Sequence, residues 1–456
     1  MAKEFHELRD PIHVFIRMDS DERNVLNSRP FQRLRHVHQL ALTSLVYPGA
    51  THKRFEHCLG VMELAGRVYD VITSAGNLHK DVREIIPEND DKKRYWRKAL
   101  RMAALCHDLG HLPFSHAAEK ELLPPDWNHE RLTVEIIRSA EMRKIWDAMT
   151  PPLKAEDIVK LAVGEKELSK FEQISYTPWE SILAEIITGD SFGVDRIDYL
   201  LRDSYHAGVA YGKFDHYRLI DTLRILPKKS ESAQLLDVEQ RSDFTDCETV
   251  TLLGIDEGGI HSAEALLLAR YFMYTQLYFH HVRRIYDIHL KEFLKAWLPE
   301  GGFPVTVENH LEITDNEVTS AFLAASRNIS AAGHIPAKRL VQRDHLRLLY
   351  QRNPDDIRRN PDAARVIYEA ACKEFGPDSV QIDVYRQKSS ESPHFPVLKG
   401  DGRIVWSDEE SEILSSKLPI LVIESVYVAQ EKLANAQKWL AKKRESLLEV
   451  SLEEEI

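Results

Sequence analysis

Apolar residues recur at spacings of three and four through the first 300 residues of the chain, a period typical of core-facing helices. In segment 54–74 this stripe consists of Phe55, Cys58, Leu59, Met62, Ala65, Val68, Tyr69 and Ile72. Segment 95–109 is apolar enough to be buried, and Gly110 is expected to end it as a C-cap residue. The same periodicity predicts helices at about 24–40, 129–148, 180–206 and 261–298.

Shorter alternating patterns predict strands in two other places. The charged stretch 225–260 contains runs such as LLDVEQ, which favour a small β-hairpin inserted between helices. After a break at Gly301–Pro304, β-branched runs at 379–387 and 417–430 predict strands, and a charged helix is expected at about 428–450. We therefore predict a mainly α fold. A helical core spans residues 1–300 with a small β-hairpin insertion, and a mixed α+β C-terminal lobe spans residues 301–456, with a regulatory or oligomerising role.

Composition and charge narrow the class of protein. With 43% hydrophobic and 29% charged residues the 456-residue chain is typical of a globular protein, and no run approaches 18 apolar residues. The N-terminus lacks an apolar signal region, and the four widely spaced cysteines favour a reducing compartment, so we expect a cytoplasmic location. A net charge of −12 makes nucleic acid an unlikely general partner without excluding a small anionic ligand.

An adjacent His107-Asp108 pair ends one of the apolar helices. Alone, such a pair is most often a satisfied histidine beside a capping aspartate. A buried carboxylate, however, is costly unless it is paired or bound to a metal, and further histidines surround this pair at His57, His111 and His129. Imidazoles and carboxylates that converge from several elements are typical of a divalent metal site.

Segment 190–206 offers another carboxylate ligand. On a helix, Val194, Ile197, Leu200 and Leu201 share one face, whereas the opposite face carries Asp195, Tyr199, Arg202, Asp203 and His206. This polar face has two interpretations: a solvated surface, or a site that binds metal, phosphate or sugar.

Several sequence words together resemble a known family. The order His57, His107-Asp108, Asp195 is similar to the H…HD…D signature of HD-domain phosphohydrolases. The words FQRLRHVHQL, YPGATHKRFEHCLGV, LCHDLGHLPFSH, WNHE and VDRIDYLLRDSYHAG resemble the deoxynucleoside triphosphate triphosphohydrolase branch, which includes bacterial dGTPases and the sterile-alpha-motif/HD dNTP hydrolase. The resemblance covers about residues 15–300 and implies an HD-domain helical core.

The resemblance also implies roles for the central residues. It makes His57, His107, Asp108 and Asp195 the ligands of a divalent metal, with Fe, Mn, Mg, Zn and Ni not distinguished. It makes His116 and His129 the candidates for protonating the leaving oxygen, with Glu119 and Glu130 as orienting carboxylates. His111 is a further candidate in this group.

Substrate-binding roles follow from the same resemblance. The implied phosphate-contacting residues are Arg54, Arg196, Tyr199 and Arg270, and the triphosphate is expected to carry Mg²⁺. Tyr278 is expected to stack on the sugar, and Gln39 and Asp203 are expected to bind its 3′-hydroxyl. A tightly packed 2′ edge would exclude the extra hydroxyl of ribose by sterics, which favours deoxyribose. At helical spacing Arg270, Tyr274, Tyr278 and His281 share one face, which is also the pattern of an ordinary amphipathic helix.

Two departures from the family pattern concern regulation and base recognition. Asn27 replaces the aspartate with which related enzymes read an allosteric guanine, although Arg35 is retained. Phe279 stands beside Tyr278 where a polar residue is usual. The basic run Lys338–Arg347 is interpreted either as a solvated face or as an effector-phosphate site.

Three functions are compatible with these residues. The favoured one is a metal-dependent dNTP triphosphohydrolase that cleaves at the α-phosphorus. The second is an HD phosphohydrolase that acts on a monophosphate, a ribonucleotide or a signalling nucleotide. The third is a nucleotide or nucleic-acid sensor without turnover. Expected partners are the nucleotide substrate, a nucleotide effector and further copies of the chain in a dimer or tetramer, with no membrane.

Overall fold

The computed structural model describes residues 5–115, 119–227, 251–387, 394–416 and 419–449. Its described part is mainly helical with a few small sheets, which confirms the predicted fold class. Among the described helices, none combines the length and the apolar composition that crossing a bilayer requires.

The N-terminal half begins with an antiparallel hairpin and continues as helices. Strands β1 (Phe5–Asp10) and β2 (Val14–Asp19) pair along their full length. The first helices are α1 (Ser20–Leu26), α2 (Arg29–Arg33), α3 (Arg54–Ile72), α4 (Asp90–Cys106), α5 (Glu119–Leu122) and α6 (His129–Ile137). They are followed by α7 (Ala140–Ala148), α8 (Ala155–Val163), α9 (Glu165–Leu168), α10 (Pro178–Thr188), α11 (Val194–Ala207) and α12 (His216–Asp221).

The centre of this half is α3, which packs against α4 and α11, while α8 packs against α4 and α10. The predicted apolar stripe of α3 is buried along its whole length. At its N-terminus the Glu56 carboxylate accepts from the Lys53 backbone N–H at 2.7 Å, which satisfies one of the donors exposed before a first turn.

Several predicted long helices are divided in the structure. Segment 129–148 breaks before Ser139, which caps α7, and segment 180–206 breaks at Gly189–Gly193, between α10 and α11. Segment 24–40 contains only α1, α2 and a short 3₁₀ turn. Helix α4 ends at Cys106, so the prediction that Gly110 caps it was wrong. Gly110 instead lies under α6, where its N–H donates to Thr133 Oγ1 at 2.9 Å.

The predicted hairpin is present as strands β3 (Leu223–Pro227) and β4 (Thr251–Asp256), which pair antiparallel, while residues 228–250 lie outside the described residues. Two helices follow, α13 (Ile260–Met273) and α14 (His281–Trp297), joined by a π-helical turn at Tyr274–Tyr278. This turn interrupts the predicted continuous helix at 261–298.

The remaining chain alternates helices and strands. The helices are α15 (Val307–Leu311), α16 (Asp315–Arg327), α17 (His334–Val341), α18 (Pro354–Arg359), α19 (Ala363–Phe375), α20 (Ser407–Glu410), α21 (Glu412–Ser415) and α22 (Leu433–Leu448). The strands are β5 (Arg347–Gln351), β6 (Val380–Arg386), β7 (Pro396–Leu398), β8 (Ile404–Trp406) and β9 (Val422–Val428). One sheet has the order β5-β9-β6, and β7 extends the hairpin sheet by pairing parallel with β4. The two predicted late strands correspond to β6 and β9, and the predicted C-terminal helix corresponds to α22.

Candidate metal centre and substrate cavity

Three elements bring the four predicted metal ligands together. His57 lies on α3, His107 and Asp108 follow α4, and Asp195 lies in the first turn of α11. The Asp195 Oδ1 atom is 3.0 Å from His57 Nε2 and 3.4 Å from His107 Nε2. The ligand atoms of His57, His107 and Asp108 lie within 4.8 Å of one another, a cluster that could hold one metal ion.

The imidazole of His107 shows how well this cluster fits a cation. Its Nδ1 donates to the Ala104 carbonyl at 2.8 Å, which fixes the ring at the end of α4. Its Nε2 is buried and finds no hydrogen-bond partner among the described residues. A buried imidazole nitrogen without a hydrogen-bond partner, beside two carboxylates, is suited to bind a divalent metal, because such metals are commonly held by imidazole and carboxylate ligands together.

Behind His57 lies a carboxylate that sequence reasoning missed. Asp198 is fully buried and accepts from His57 Nδ1 at 2.8 Å and from His13 Nε2 at 2.7 Å. Arg202 donates to the same carboxylate through Nε and a terminal nitrogen, at 2.8 and 2.9 Å, and also to Asp10. Arg202 is therefore a buried partner of Asp198 rather than part of the predicted polar face. The available signal was the i, i+4 spacing of an aspartate and an arginine.

The surrounding charges keep the cluster carboxylates ionised. Burial alone would raise the pKa of Asp195, but its close contacts with the His107 and His57 imidazoles hold that pKa well below the usual range. Burial likewise opposes a charged His57, yet its hydrogen bonds to Asp195 and Asp198 raise its pKa to about 9. The ionised carboxylates of Asp108 and Asp195 attract cations.

Arg54 connects Asp108 with the loop that follows it. Its guanidinium donates to Asp108 Oδ2 and, through Nε and a second nitrogen, to Ser115 Oγ at 3.1 and 2.7 Å. His111 Nε2 lies 3.1 Å from the other oxygen of Asp108. Phe114 and Ser115 have positive φ angles of 55° and 59°, and Asp315 accepts from the Phe114 N–H at 2.8 Å. Ser115 was also missed by the sequence analysis.

The predicted acid/base group is assembled around the start of α6. Glu119 Oε1 accepts from the backbone N–H and from Nδ1 of His129, at 2.8 and 2.7 Å, and Glu130 lies 3.3 Å from the same ring nitrogen. The His129 ring stacks on His111 with centroids 4.1 Å apart. Burial lowers the pKa of His129, but Glu119 more than compensates and the net pKa is raised. Glu119, His129 and Glu130 are also close enough to hold a metal.

His116 lies outside the described residues, so its predicted role stays a prediction. Cys247 and the LLDVEQ run of the predicted hairpin, residues 235–240, also lie outside the described residues.

One cavity of about 640 Å³ is lined by residues of the candidate metal site, of the acid/base group and of the sugar-binding group. The predicted site residues that line it are Gln39, Arg54, His107, Asp108, His111, His129, Glu130, Asp195, Tyr199 and Tyr278. Its volume falls within the range typical of small-molecule sites. Further lining residues that sequence reasoning did not assign are Ser115, Arg283, Arg284, Asp287 and Tyr385.

Two predicted phosphate ligands, Arg196 and Arg270, line a separate small cavity. Arg270 lies 5.7 Å from the Tyr274 ring, and Arg196 donates to backbone carbonyls at the end of α10. Arg270, Tyr274 and Tyr278 stay neighbours, with the Tyr274 and Tyr278 ring centroids 5.1 Å apart. His281 does not continue the predicted face, because the π turn ends α13 and His281 begins a new helix.

Two of the three predicted sugar-binding residues, Asp203 and Tyr278, are joined by a hydrogen bond. Asp203 is buried and accepts from Tyr278 OH at 2.6 Å and from His52 Nε2 at 2.7 Å. Tyr278 and Gln39 line the cavity, and the Gln39 carbonyl oxygen is buried without a partner among the described residues. The buried carboxylate of Asp203 thus fixes the hydroxyl group of Tyr278.

The two residues at the predicted effector position lie on the surface. Asn27 is the exposed C-cap of α1. Arg35 is exposed, stacks over the Phe55 ring at 3.5 Å and donates to Gln32.

Comparison with known proteins identifies the class. Residues 54–202 match the HD domain family, and residues 214–416 match the HD associated region. A hypothetical protein from Aquifex aeolicus has a solved structure with 32% identity and a TM-score of 0.73, over 96% of this chain and all of that one. An uncharacterised protein of Methanocaldococcus jannaschii is 29% identical over 93% of this chain and 80% of its own length. The deoxynucleoside triphosphate triphosphohydrolase SAMHD1 of Gallus gallus is 36% identical over 47% of this chain.

This chain belongs to the HD-domain phosphohydrolase superfamily, in a branch similar to the dNTP triphosphohydrolases. The match spans 36% of the length of the chicken protein.

Proposed function

We propose that the protein is a dNTP triphosphohydrolase that cleaves at the α-phosphorus and releases deoxynucleoside and inorganic triphosphate. The observation that carries this proposal is one cavity that is lined by His107, Asp108 and Asp195 of the metal cluster, by His129 and by Tyr278. The dNTP triphosphohydrolase activity of the SAMHD1 relative supports it.

The metal cluster and the acid/base group have complementary roles in this reaction. A divalent metal held by His57, His107, Asp108 and Asp195 would polarise a phosphate oxygen and activate water. Arg54, fixed between Asp108 and Ser115, places positive charge beside the phosphates. Glu119 raises the pKa of His129, which favours the protonated imidazole that can donate a proton to the departing 5′-oxygen.

The remaining groups bind the rest of the nucleotide. The ring of Tyr278, fixed by Asp203, packs against the sugar and excludes a 2′-hydroxyl by contact. Gln39 offers an acceptor to the 3′-hydroxyl. Arg196 and Arg270 lie beside Tyr199 and Tyr274, which line the cavity, and we assign them to the distal phosphates with their Mg²⁺.

The test is product analysis with each dNTP and NTP, singly and in mixtures, with Mg²⁺, Mn²⁺ or Fe²⁺. We expect triphosphate from dNTPs. Orthophosphate or pyrophosphate would instead support an HD phosphohydrolase of another specificity, and binding without turnover would support a sensor. Asp195→Ala should abolish turnover, whereas Asp147→Ala, at an exposed carboxylate of α7, should retain it.

We also propose that the chain forms a homo-oligomer and binds a nucleotide effector. Light scattering with and without added dNTP tests both, since an effector that promotes assembly raises the measured mass.

A further inference from the structure

The sheet β5-β9-β6 is docked on the start of α14. Asp383 on β6 accepts two hydrogen bonds from Arg284, at 2.8 and 2.6 Å, an arrangement with fixed geometry. Tyr427 on β9 donates to the His281 carbonyl at 2.9 Å, and its buried ring packs with Ile285. These contacts hold β6 against the helix that begins just after the sugar-binding Tyr278.

This docking brings Tyr385 to the substrate cavity. Tyr385 lies two residues after Asp383, so both side chains project from the same face of β6, towards α14. Its ring centroid is 4.3 Å from that of Phe279, and Tyr385 lines the 640 Å³ cavity. Val384 projects to the opposite face, where it is 58% exposed.

Arg283 adds a hydrogen-bond donor to the same wall. It lines the cavity, donates to the Tyr278 carbonyl and lies 3.6 Å from Asp287. Its Nε–H is buried and finds no acceptor among the described residues. A guanidinium at the wall of a cavity favours a ligand atom that accepts a hydrogen bond from it.

We propose that Phe279, Tyr385 and Arg283 form the nucleobase-binding wall of the cavity, and that Tyr385 and Arg283 select purines. This inference rests on the proposed function. The metal cluster and Arg54 account for the phosphate end, and Tyr278 accounts for the sugar. The nucleobase is then expected to contact the part of the cavity wall that Phe279 and Arg283 form just after Tyr278 in the chain. Two aromatic rings offer a stacking surface that the larger purine covers best, and N7, which both purines present, accepts from a guanidinium.

The experiment measures kcat and KM of the full chain for dATP, dGTP, dCTP and dTTP. We expect Tyr385→Ala to raise KM for the purines about tenfold, as loss of one stacking contact predicts, and to change kcat less than about twofold. Tyr385→Phe keeps the ring and should restore the purine KM. Arg283→Ala should raise KM for the purine nucleotides and so narrow the difference in KM between the purine and the pyrimidine nucleotides. Val384→Ala is the matched control on the same strand and should leave all four KM values unchanged.

Unchanged purine KM in Tyr385→Ala, or a loss confined to kcat, overturns the proposal. Equilibrium dialysis of the same four nucleotides separates this failure from failure of the proposed function. Purine binding that depends on Tyr385, without triphosphate release, overturns only the proposed function. Triphosphate release with purine affinity independent of Tyr385 overturns only the base wall. If the wild-type protein binds none of the four nucleotides, both are overturned.

Discussion

Each imidazole of the metal cluster has one ring nitrogen fixed by an acceptor of the protein. His57 Nδ1 donates to Asp198, and His107 Nδ1 donates to the Ala104 carbonyl. The opposite nitrogen of each ring, Nε2, therefore faces Asp195. Partners of this kind orient a ligand and raise its basicity, so they affect metal affinity without touching the metal.

The first prediction concerns Asp198. We expect Asp198→Asn to weaken metal binding about 10- to 100-fold, because the amide no longer presents two anionic acceptors to His57 and Arg202. Titration calorimetry with Mn²⁺ measures the change in affinity. Asp10→Asn is the matched control, since Asp10 also binds Arg202 but does not contact a predicted metal ligand. Equal loss of affinity in both variants would contradict the role assigned to Asp198.

At the residue scale, the sequence indicated the proposed ligands but not all of the residues that support them. His107-Asp108 is recognisable as an adjacent pair, and Asp195 stands in a distinctive word. Asp198 was missed because its partners His13 and His57 are 185 and 141 residues away along the chain. Asp315, which fixes the loop after Asp108 through Phe114, is 201 residues from it. Contacts at such separations are set by packing and leave no local pattern.

Among the elements, α6 depends on a close approach at Gly110. A Cβ atom there would lie 2.1 Å from the His129 carbonyl oxygen and 2.4 Å from the Thr133 nitrogen, both backbone atoms. The missing side chain therefore lets the first turn of α6, which carries His129 and Glu130, lie against the segment after His107-Asp108.

The second prediction is that Gly110→Ala destabilises the protein by about 1–3 kcal/mol, the usual cost of overpacking, and lowers kcat because α6 must shift. Urea unfolding and steady-state kinetics measure the two effects. Gly76→Ala is the control, because a Cβ there meets nothing within 4 Å. Equal free energies of unfolding and equal kcat values for the two alanine variants would contradict the stabilising role of this close approach.

The third prediction concerns the contact of α10 with β4. Burial raises the pKa of Glu185 from 4.5 to about 7, although its carboxylate accepts from the Leu253 N–H at 3.1 Å. Because the folded state holds this proton more tightly, stability falls as pH rises from about 4.5 to about 7 and stays lower above that. Glu185→Gln removes this loss and keeps an acceptor for Leu253. We expect it to raise the free energy of unfolding by up to about 3 kcal/mol at pH 8 and by much less at pH 5.

Urea unfolding at both pH values tests this, with Glu165→Gln on the surface of α9 as the control. A gain that is equal at pH 5 and pH 8 would contradict a buried, protonated Glu185.

For the elements, helical periodicity predicted where helices occur but not where they break. The break between α10 and α11 lies at Gly189–Gly193, and its position sets the direction in which Asp195 enters the site. The π turn at Tyr274–Tyr278 has no comparable signal, since its residues continue the apolar pattern of α13. One extra residue per turn moved His281 off the face that it would share with Tyr278 in a regular helix.

At the scale of the whole molecule, side chains pack across the predicted boundary at residue 300. One buried cluster contains Phe114 and Phe293 from the N-terminal side together with Val318, Phe322 and Leu340 from the other side. Polar contacts cross as well. Asp315 accepts from the His38 N–H at 2.8 Å, and Arg33 donates to the Ile313 carbonyl at 2.8 Å. The boundary stays a prediction, and its energetic meaning can be measured.

The fourth prediction is that a chain ending at residue 300 does not fold cooperatively. Removal of residues 301–456 would expose Phe293 and its buried neighbours. Burial of each such side chain contributes about 1.5–3 kcal/mol, and the net stability of a typical domain is only about 5–15 kcal/mol. The truncation would also remove Asp315, which accepts from the Phe114 N–H and so fixes the loop whose Ser115 contacts Arg54. We therefore expect the metal affinity to fall together with the stability. Thermal melting followed by near-ultraviolet circular dichroism, with Mn²⁺ titration, measures both, and a chain ending at residue 449 controls for truncation. A monomeric 1–300 chain that melts cooperatively and binds Mn²⁺ like the full chain would show instead that residues 1–300 fold on their own.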